Sequence, residues 1–323
     1  MTLPRTGWLA TFLLAITLST LLAPASSAQD TREIDIIETL GEEQVAAREA
    51  REQAAAEREH RQRLEEQSQL RQAFQEYLGV ARRTATQAVR AKAARADAQQ
   101  VMLLREQARE IIDRDGLTKA MVQAELDPIY ERLEELLVPT QEQLYAVNPQ
   151  LLELRRRIAP GSGTEVLWIE EIAIQYALAT DDREREVVAG NVAQRDPNQF
   201  DTTAGEADGI DLCNRRRMVL GLNPLAVDHK LILAGRDHSN DMVTLGFFAH
   251  SSPVPGKETP WKRAENFGTT ASGENIAAGY GSETQATMGW WYSPGHLKNM
   301  MGQGHNRIGL GTHQQHYTQL FGR

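Results

Sequence analysis

Three side chains in the C-terminal third of the sequence could hold a metal ion or move a proton: His250, Glu274 and His296. They stand in F-F-A-H-S-S-P (247–253), G-E-N-I-A-A-G (273–279) and W-W-Y-S-P-G-H (290–296). Pro253, Gly273, Pro294 and Gly295 lie close by and restrict the backbone, so stiff, turn-flanked segments present the imidazoles and the carboxylate. Two neutral imidazoles, His250 and His296, could ligate Zn²⁺ together with a carboxylate and leave one position open. The same three groups could instead hydrogen-bond one another and pin their loops, or supply a general acid–base. The residues alone leave all three open. His238 falls on a helix face and reads as a core histidine. His229, His305, His313 and His316 fall in or beside turns and read as solvated. No phosphate loop is present, because 273–279 lacks the spacing and the lysine, and no G-x-S-x-G elbow occurs.

The elements that must position these groups follow from periodicity and punctuation. A helix near Ile210 ends at Gly221, and Leu222-Asn-Pro-Leu225 is a turn. A second helix runs from about Asp228 to Leu245, stopped by Gly246. Residues 275–278 read as a strand and 283–292 as a helix, and the alternation in 307–313 and 316–321 predicts a terminal hairpin. Upstream, residues 31–114 are rich in Ala, Glu, Gln and Arg, which are strong helix formers. An apolar stripe passes through Leu70, Phe74, Tyr77, Ala81, Ala85 and Val89 and on through Val101, Leu104, Ala108 and Ile111, until Asp115-Gly116 breaks it. Further helices are expected over 118–138 and 151–158, and after a cap at Thr164 with Trp168, Ile172 and Tyr176 on one face. These helices could pack as a hairpin or bundle, or serve as a partner-binding coiled coil.

The organisation expected is thus a signal peptide over 1–28, a charged helical region over 29–195, a turn-rich linker over 196–206 and a C-terminal domain over 207–323. Arg5, the apolar run from Trp8 to Leu22 and the small residues before Ala28 make the export signal, so the mature chain is expected to be secreted or periplasmic, with no membrane span after signal removal. A formal net charge of -9 argues for solubility and against a nucleic-acid partner. Cys213 is the only cysteine, so no internal disulfide can form; it reads as a small core residue.

Several short motifs, in order, carry a resemblance: Cys213-Asn-Arg-Arg-Arg217, Gly221-Leu-Asn-Pro-Leu225, A-G-R-D-H-S-N-D-M (234–242), F-F-A-H-S-S-P, Gly273-Glu-Asn-Ile276, W-Y-S-P-G-H (291–296) and I-G-L-G (308–311). Residues 207–323 resemble the CAP superfamily, the cysteine-rich secretory, antigen 5 and pathogenesis-related 1 proteins with an SCP domain, in its short disulfide-free bacterial form. The first motif departs from H-N-x-x-R by carrying Cys213 in place of His. The resemblance implies an α+β fold: a CAP α-β-α sandwich with a small antiparallel sheet, here preceded by an all-α region. It implies a cavity holding His250, Glu274 and His296, with Asn214, Arg217, His238 and Asn275 as structural motif residues. The second acid of longer relatives falls on Pro294, so the acidic pair is incomplete. The function implied is a non-catalytic extracellular or periplasmic module that binds a lipid-like, cell-wall or protein ligand. The alternatives are a metal-dependent hydrolase using His250, His296 and Glu274, and an assembly protein that self-associates through its helices.

Overall fold

The computed structural model describes residues 30–158, 167–195 and 199–323, with side chains from residue 44 and, in the second segment, from 168. The expected signal peptide, the cap at Thr164 and part of the expected linker lie outside the described residues. Backbone contacts divide the chain into Met1–Gln67 and Ser68–Arg323.

Within the first unit the described residues belong to helix α1 (Asp30–Ala93). Its side chains there are nearly all exposed, and i,i+4 pairs such as Arg48–Glu52 (2.9 Å) and Arg63–Glu59 (3.1 Å) lace its surface.

Within the second unit the apolar stripe on the end of α1 is buried from Tyr77 on, through Ala81, Ala85 and Val89, whereas Leu70 at its start is exposed. The helix ends at Ala93, well before Asp115-Gly116, and α2 (Ala98–Asp113) starts afresh. Neither Gly nor Pro marks this break. It is stabilised by Asp97, whose side chain accepts from the Gln99 N–H (2.9 Å), and it lets α2 take a direction of its own and pack against the π turn, α4 and α13. The second break does fall at Gly116, at φ +71°. The expected helix over 118–138 forms as α3 (Lys119–Met121), a π turn (Val122–Leu126) and α4 (Asp127–Leu137). The π turn precedes Pro128, which has no N–H to donate to the ladder. Then follow α5 (Gln141–Val147), α6 (Pro149–Ile158), α7 (Leu167–Leu178) and α8 (Asp182–Ala193).

The C-terminal elements are α9 (Ala204–Val219), β1 (Ala226–Val227), α10 (His229–Leu245), α11 (Pro260–Asn266), β2 (Gly273–Ala278), α12 (Glu283–Trp291), α13 (Pro294–Met300), β3 (Arg307–His313) and β4 (His316–Gly322). The strand order is β1-β3-β4-β2. β2, β3 and β4 pair antiparallel as expected, but the two-residue β1 pairs parallel to β3, so the sheet is mixed. The fold class is α+β, with helices on both faces of the sheet.

Alternation along the strands sorts the two faces. Leu320 packs with Leu231, Ala234, Ala264 and Ala271 beneath α10 and α11. Ile308, Leu310, Tyr317 and Phe321 face a larger core that takes in α9, α12, α13 and the upstream helices. α10 lies unusually close to β3. A Cβ at Gly311 would stand 2.1 Å from the Arg236 nitrogen, and one at Gly309 would stand 2.5 Å from that of Ile232. The I-G-L-G motif therefore permits backbone-to-backbone contact between helix and sheet. Among the described residues no helix is long and apolar enough to cross a membrane.

Candidate functional site

The site is assembled by three segments that meet over one end of β2. Gly246 at the C-cap of α10 takes the left-handed conformation (φ +68°, ψ +40°) and releases the chain into the loop carrying His250. His238, fully buried on α10, holds that loop: its Nε2 lies 3.1 Å from the Ala249 carbonyl. A carbonyl can only accept, so Nε2 carries the proton and Nδ1 is bare. Burial, and then the nearby Arg263, lower the His238 pKa, in keeping with a neutral ring.

Glu274 projects from β2 and is buried. Its Oε1 lies 2.8 Å from His250 Nδ1, and its Oε2 accepts from Arg263 Nη2 at 2.5 Å. Arg263 is itself fully buried; it also donates to the His250 carbonyl (3.1 Å) and the Lys257 carbonyl (2.9 Å). One guanidinium thus ties the loop after α10 to the sheet. The His250 side chain remains 53 % exposed, beside an exposed Phe248.

His296 enters on the first turn of α13. Asn275 donates to its carbonyl (3.2 Å) and to Gln319 Oε1 (3.0 Å), while Asn299 donates to Asn275 Oδ1 (2.9 Å) and to the Glu274 carbonyl (3.0 Å). This amide chain fixes α13 against β2. The His296 Nδ1 is buried with no partner among the described residues. Burial, and then the field of His250, lower its pKa, so the two imidazoles are near enough to repel when protonated. Pro294, at the second acidic position, serves as the first residue of α13.

Asn214 and Arg217 act at a distance from these groups. The Asn214 amide bridges the Leu225 backbone, donating to its carbonyl (3.0 Å) and accepting from its N–H (2.8 Å). Buried Arg217 donates to the carbonyls of Asn223 (3.0 Å), Met300 (2.7 Å) and Gly302 (2.9 Å), joining α9 to the end of α13. Cys213 beside them is fully buried, and burial pushes its thiol pKa up to about 11.

The donor set does not fit a three-ligand zinc site. Both Glu274 oxygens are engaged, and among the described residues no three His, Cys, Asp or Glu side chains are placed to share one ion. His250 and His296 are what remains for a metal.

Sequence reasoning missed Arg263 and Asn299. The local signal for Arg263 was Thr259-Pro260, an N-cap followed by proline, which opens α11. Two turn histidines also differ from expectation. His305 is half-buried and stacks on Phe321 (centroids 4.8 Å apart), with Ser272 Oγ 2.8 Å from its Nδ1. His229 packs near the Phe200 ring at 5.4 Å. In both cases an aromatic neighbour covers what looked like a polar turn. The tryptophans that precede His296 are engaged elsewhere: Trp291 packs on Tyr130 and Arg216, and Trp290 donates to the Ile276 carbonyl.

The model of the cysteine-rich secretory protein family, CAP, matches residues 210–321. Over 111 residues the chain is 34 % identical to the uncharacterized protein YkwD of Bacillus subtilis (strain 168), covering 34 % of this chain and 42 % of that one. Over 119 residues it is 31 % identical to the uncharacterized membrane protein YlbC of the same organism, covering 37 % and 34 %. The chain therefore spans less than half the length of either relative. Among solved structures, an extracellular SCP-domain protein from Bacillus anthracis str. Ames aligns at 33 % identity and a TM-score of 0.35, covering 37 % of this chain and 40 % of that one. An outer surface protein from Borrelia burgdorferi aligns at 20 % identity and a TM-score of 0.31, covering 35 % and 88 %.

Proposed function

Since residues 210–321 form a CAP domain, we propose that this chain is an exported, non-catalytic binding module whose ligand engages the face around His250 and His296. The observation that carries this reading is the state of Glu274. Arg263 and His250 each engage one of its oxygens, so the one buried carboxylate of the site is committed to bracing the loop and orienting the imidazole, and does not stand open to solvent as a general base. Pro294 removes the second acid. What the site offers outward is a half-exposed imidazole and an exposed phenyl ring, His250 and Phe248, on a loop braced from behind. Such a face suits recognition of a lipid-like, cell-wall or protein ligand. Export is supported by Arg5, the apolar run and the small residues before Ala28.

The test pairs a screen of lipid vesicles, peptidoglycan fragments and peptides with elemental analysis and an assay of peptide turnover. Binding that is weakened by Phe248→Ala and His250→Ala, with no turnover, is the expected result. Turnover that depends on His250, His296 and a stoichiometric metal would replace this reading with the hydrolase.

A further inference from the structure

The end of α1 carries a second feature, unrelated to the histidine face. Residues 77–96 contain Arg82, Arg83, Arg90, Lys92 and Arg95 and no Asp or Glu, in a chain of net charge -9. Earlier on the same helix glutamates are interleaved with the arginines, and two of those arginines pair with one a turn away, at Arg48–Glu52 and Arg63–Glu59. Here the positions three and four residues from Arg82, Arg83 and Arg90 are all uncharged, so no helical neighbour can neutralise them. Nor does any described carboxylate reach them from another element at ion-pair distance.

These three arginines line one open cleft of about 480 Å³, together with Thr86, Gln87 and Tyr176. Tyr176, from α7, is the fixed wall: the Arg82 guanidinium lies 4.7 Å from its ring centroid. That stacking orients the guanidinium but supplies no acceptor. Arg82 Nε is buried without a hydrogen-bond partner, and burial lowers the pKa of the side chain. Three like charges converge on one concavity, one of them with an unpaired buried donor, so a bound anion would offset both repulsion and desolvation. Arg82 and Arg90 are separated by eight residues, or about 12 Å along the helix axis, which favours an anion with more than one charged group. Planar guanidinium forks match phosphate oxygens in pairs.

We propose that this cleft binds a phosphate-bearing polyanion, with Arg82, Arg83 and Arg90 as the anion ligands and Gln87 as a neutral donor; the Thr86 hydroxyl, which donates to the Arg82 carbonyl (2.7 Å), lines the wall. The source of the phosphates is either a lipid headgroup or a soluble phosphate ester.

Titration calorimetry of the full chain with sodium tripolyphosphate tests it. The expected result is one site, weakened about tenfold or more in Arg83→Gln/Arg90→Gln, weakened again by added salt, and unaffected in Arg48→Gln/Arg63→Gln. Both substituted arginines are exposed, so the variant should keep the circular dichroism spectrum of the parent. Absence of heat up to millimolar ligand, or equal binding by the double variant, would overturn the site. Equal affinity for citrate would overturn the assignment to phosphate. Cosedimentation with phosphatidylglycerol vesicles that is lost in the double variant would identify a lipid headgroup as the source. Tripolyphosphate binding without cosedimentation would identify a soluble ester.

Discussion

Arg263 is the side chain on which the candidate site turns, because one buried cation satisfies Glu274 and two loop carbonyls at once. Arg263→Met leaves a buried carboxylate with His250 alone and two carbonyls without their donor, and should cost about 3–5 kcal/mol in a urea titration. Arg263→Met/Glu274→Gln should recover part of that loss, since no uncompensated charge remains. A double variant no more stable than the single one would mean that Arg263 acts through packing alone. His305 gives a pH prediction. Burial, with help from Arg217 and Arg323, lowers its pKa to about 4, below the ordinary histidine value of 6.5. The unfolded chain therefore takes up the proton first as pH falls. Stability is full above about pH 6.5 and declines toward pH 4, where the folded protein also protonates. His305→Gln should flatten that slope relative to the parent; an unchanged slope would place the titration elsewhere. The candidate-site histidines stood out in the sequence because each lies beside turn-forming residues, Pro253 after His250 and Pro294-Gly295 before His296. Arg263 did not, because its role exists only once α11 is laid against β2, and no pattern along the chain encodes that approach.

At the scale of elements, the close approach of α10 to β3 is the constraint that keeps the His250 loop in place. Gly311→Ala would push a methyl group into the Arg236 backbone, where nothing flexible can yield. It should destabilise by about 3 kcal/mol and loosen the loop after α10, seen as faster amide exchange near His250. Gly190→Ala is the control: it lies inside α8 with nothing within 4 Å of an added Cβ, and should stabilise by about 0.5–1 kcal/mol. Equal effects at the two positions would contradict the packing argument. Elements with a period and a stop signal were readable: α10 runs to Gly246 and the hairpin runs over 307–322. Its two-residue turn, Gln314-Gln315, takes positive φ without glycine, which turn chemistry does not anticipate. The break between α1 and α2 was hidden for a related reason. Ala-Arg-Ala-Asp has no breaker, and the gain comes from packing α2 onto its neighbours, a tertiary term that outweighs local propensity.

At the scale of the second unit, the helices from Ser68 onward and the CAP fold share one apolar core. Trp291 marks the join: fully buried, it donates from Nε1 to Asp127 Oδ1 (2.8 Å), meets the Tyr130 ring at 5.3 Å and carries the Arg216 guanidinium on its face at 4.1 Å. Asn191 from α8 strengthens it by pairing with the Leu225 carbonyl (3.0 Å) and the Val227 N–H (2.8 Å), which covers β1 at the edge of the sheet. The change of composition near 196–206 suggested a separable domain over 207–323, and we retain independent folding of that segment as a proposal. The shared core adds a cost to the separation. Without residues 68–195, Trp291 loses Asp127 and Tyr130 and meets water, and the β1 edge is uncovered. A 207–323 fragment should therefore show red-shifted tryptophan emission and melt about 10 °C or more below the 68–323 chain. Phe substitution of Trp291 in the fragment should abolish most of the red shift, which assigns the signal to this residue. Equal melting temperatures would mean that the upstream helices contribute nothing to the CAP fold, and that the aromatic contacts at Trp291 are incidental to its stability.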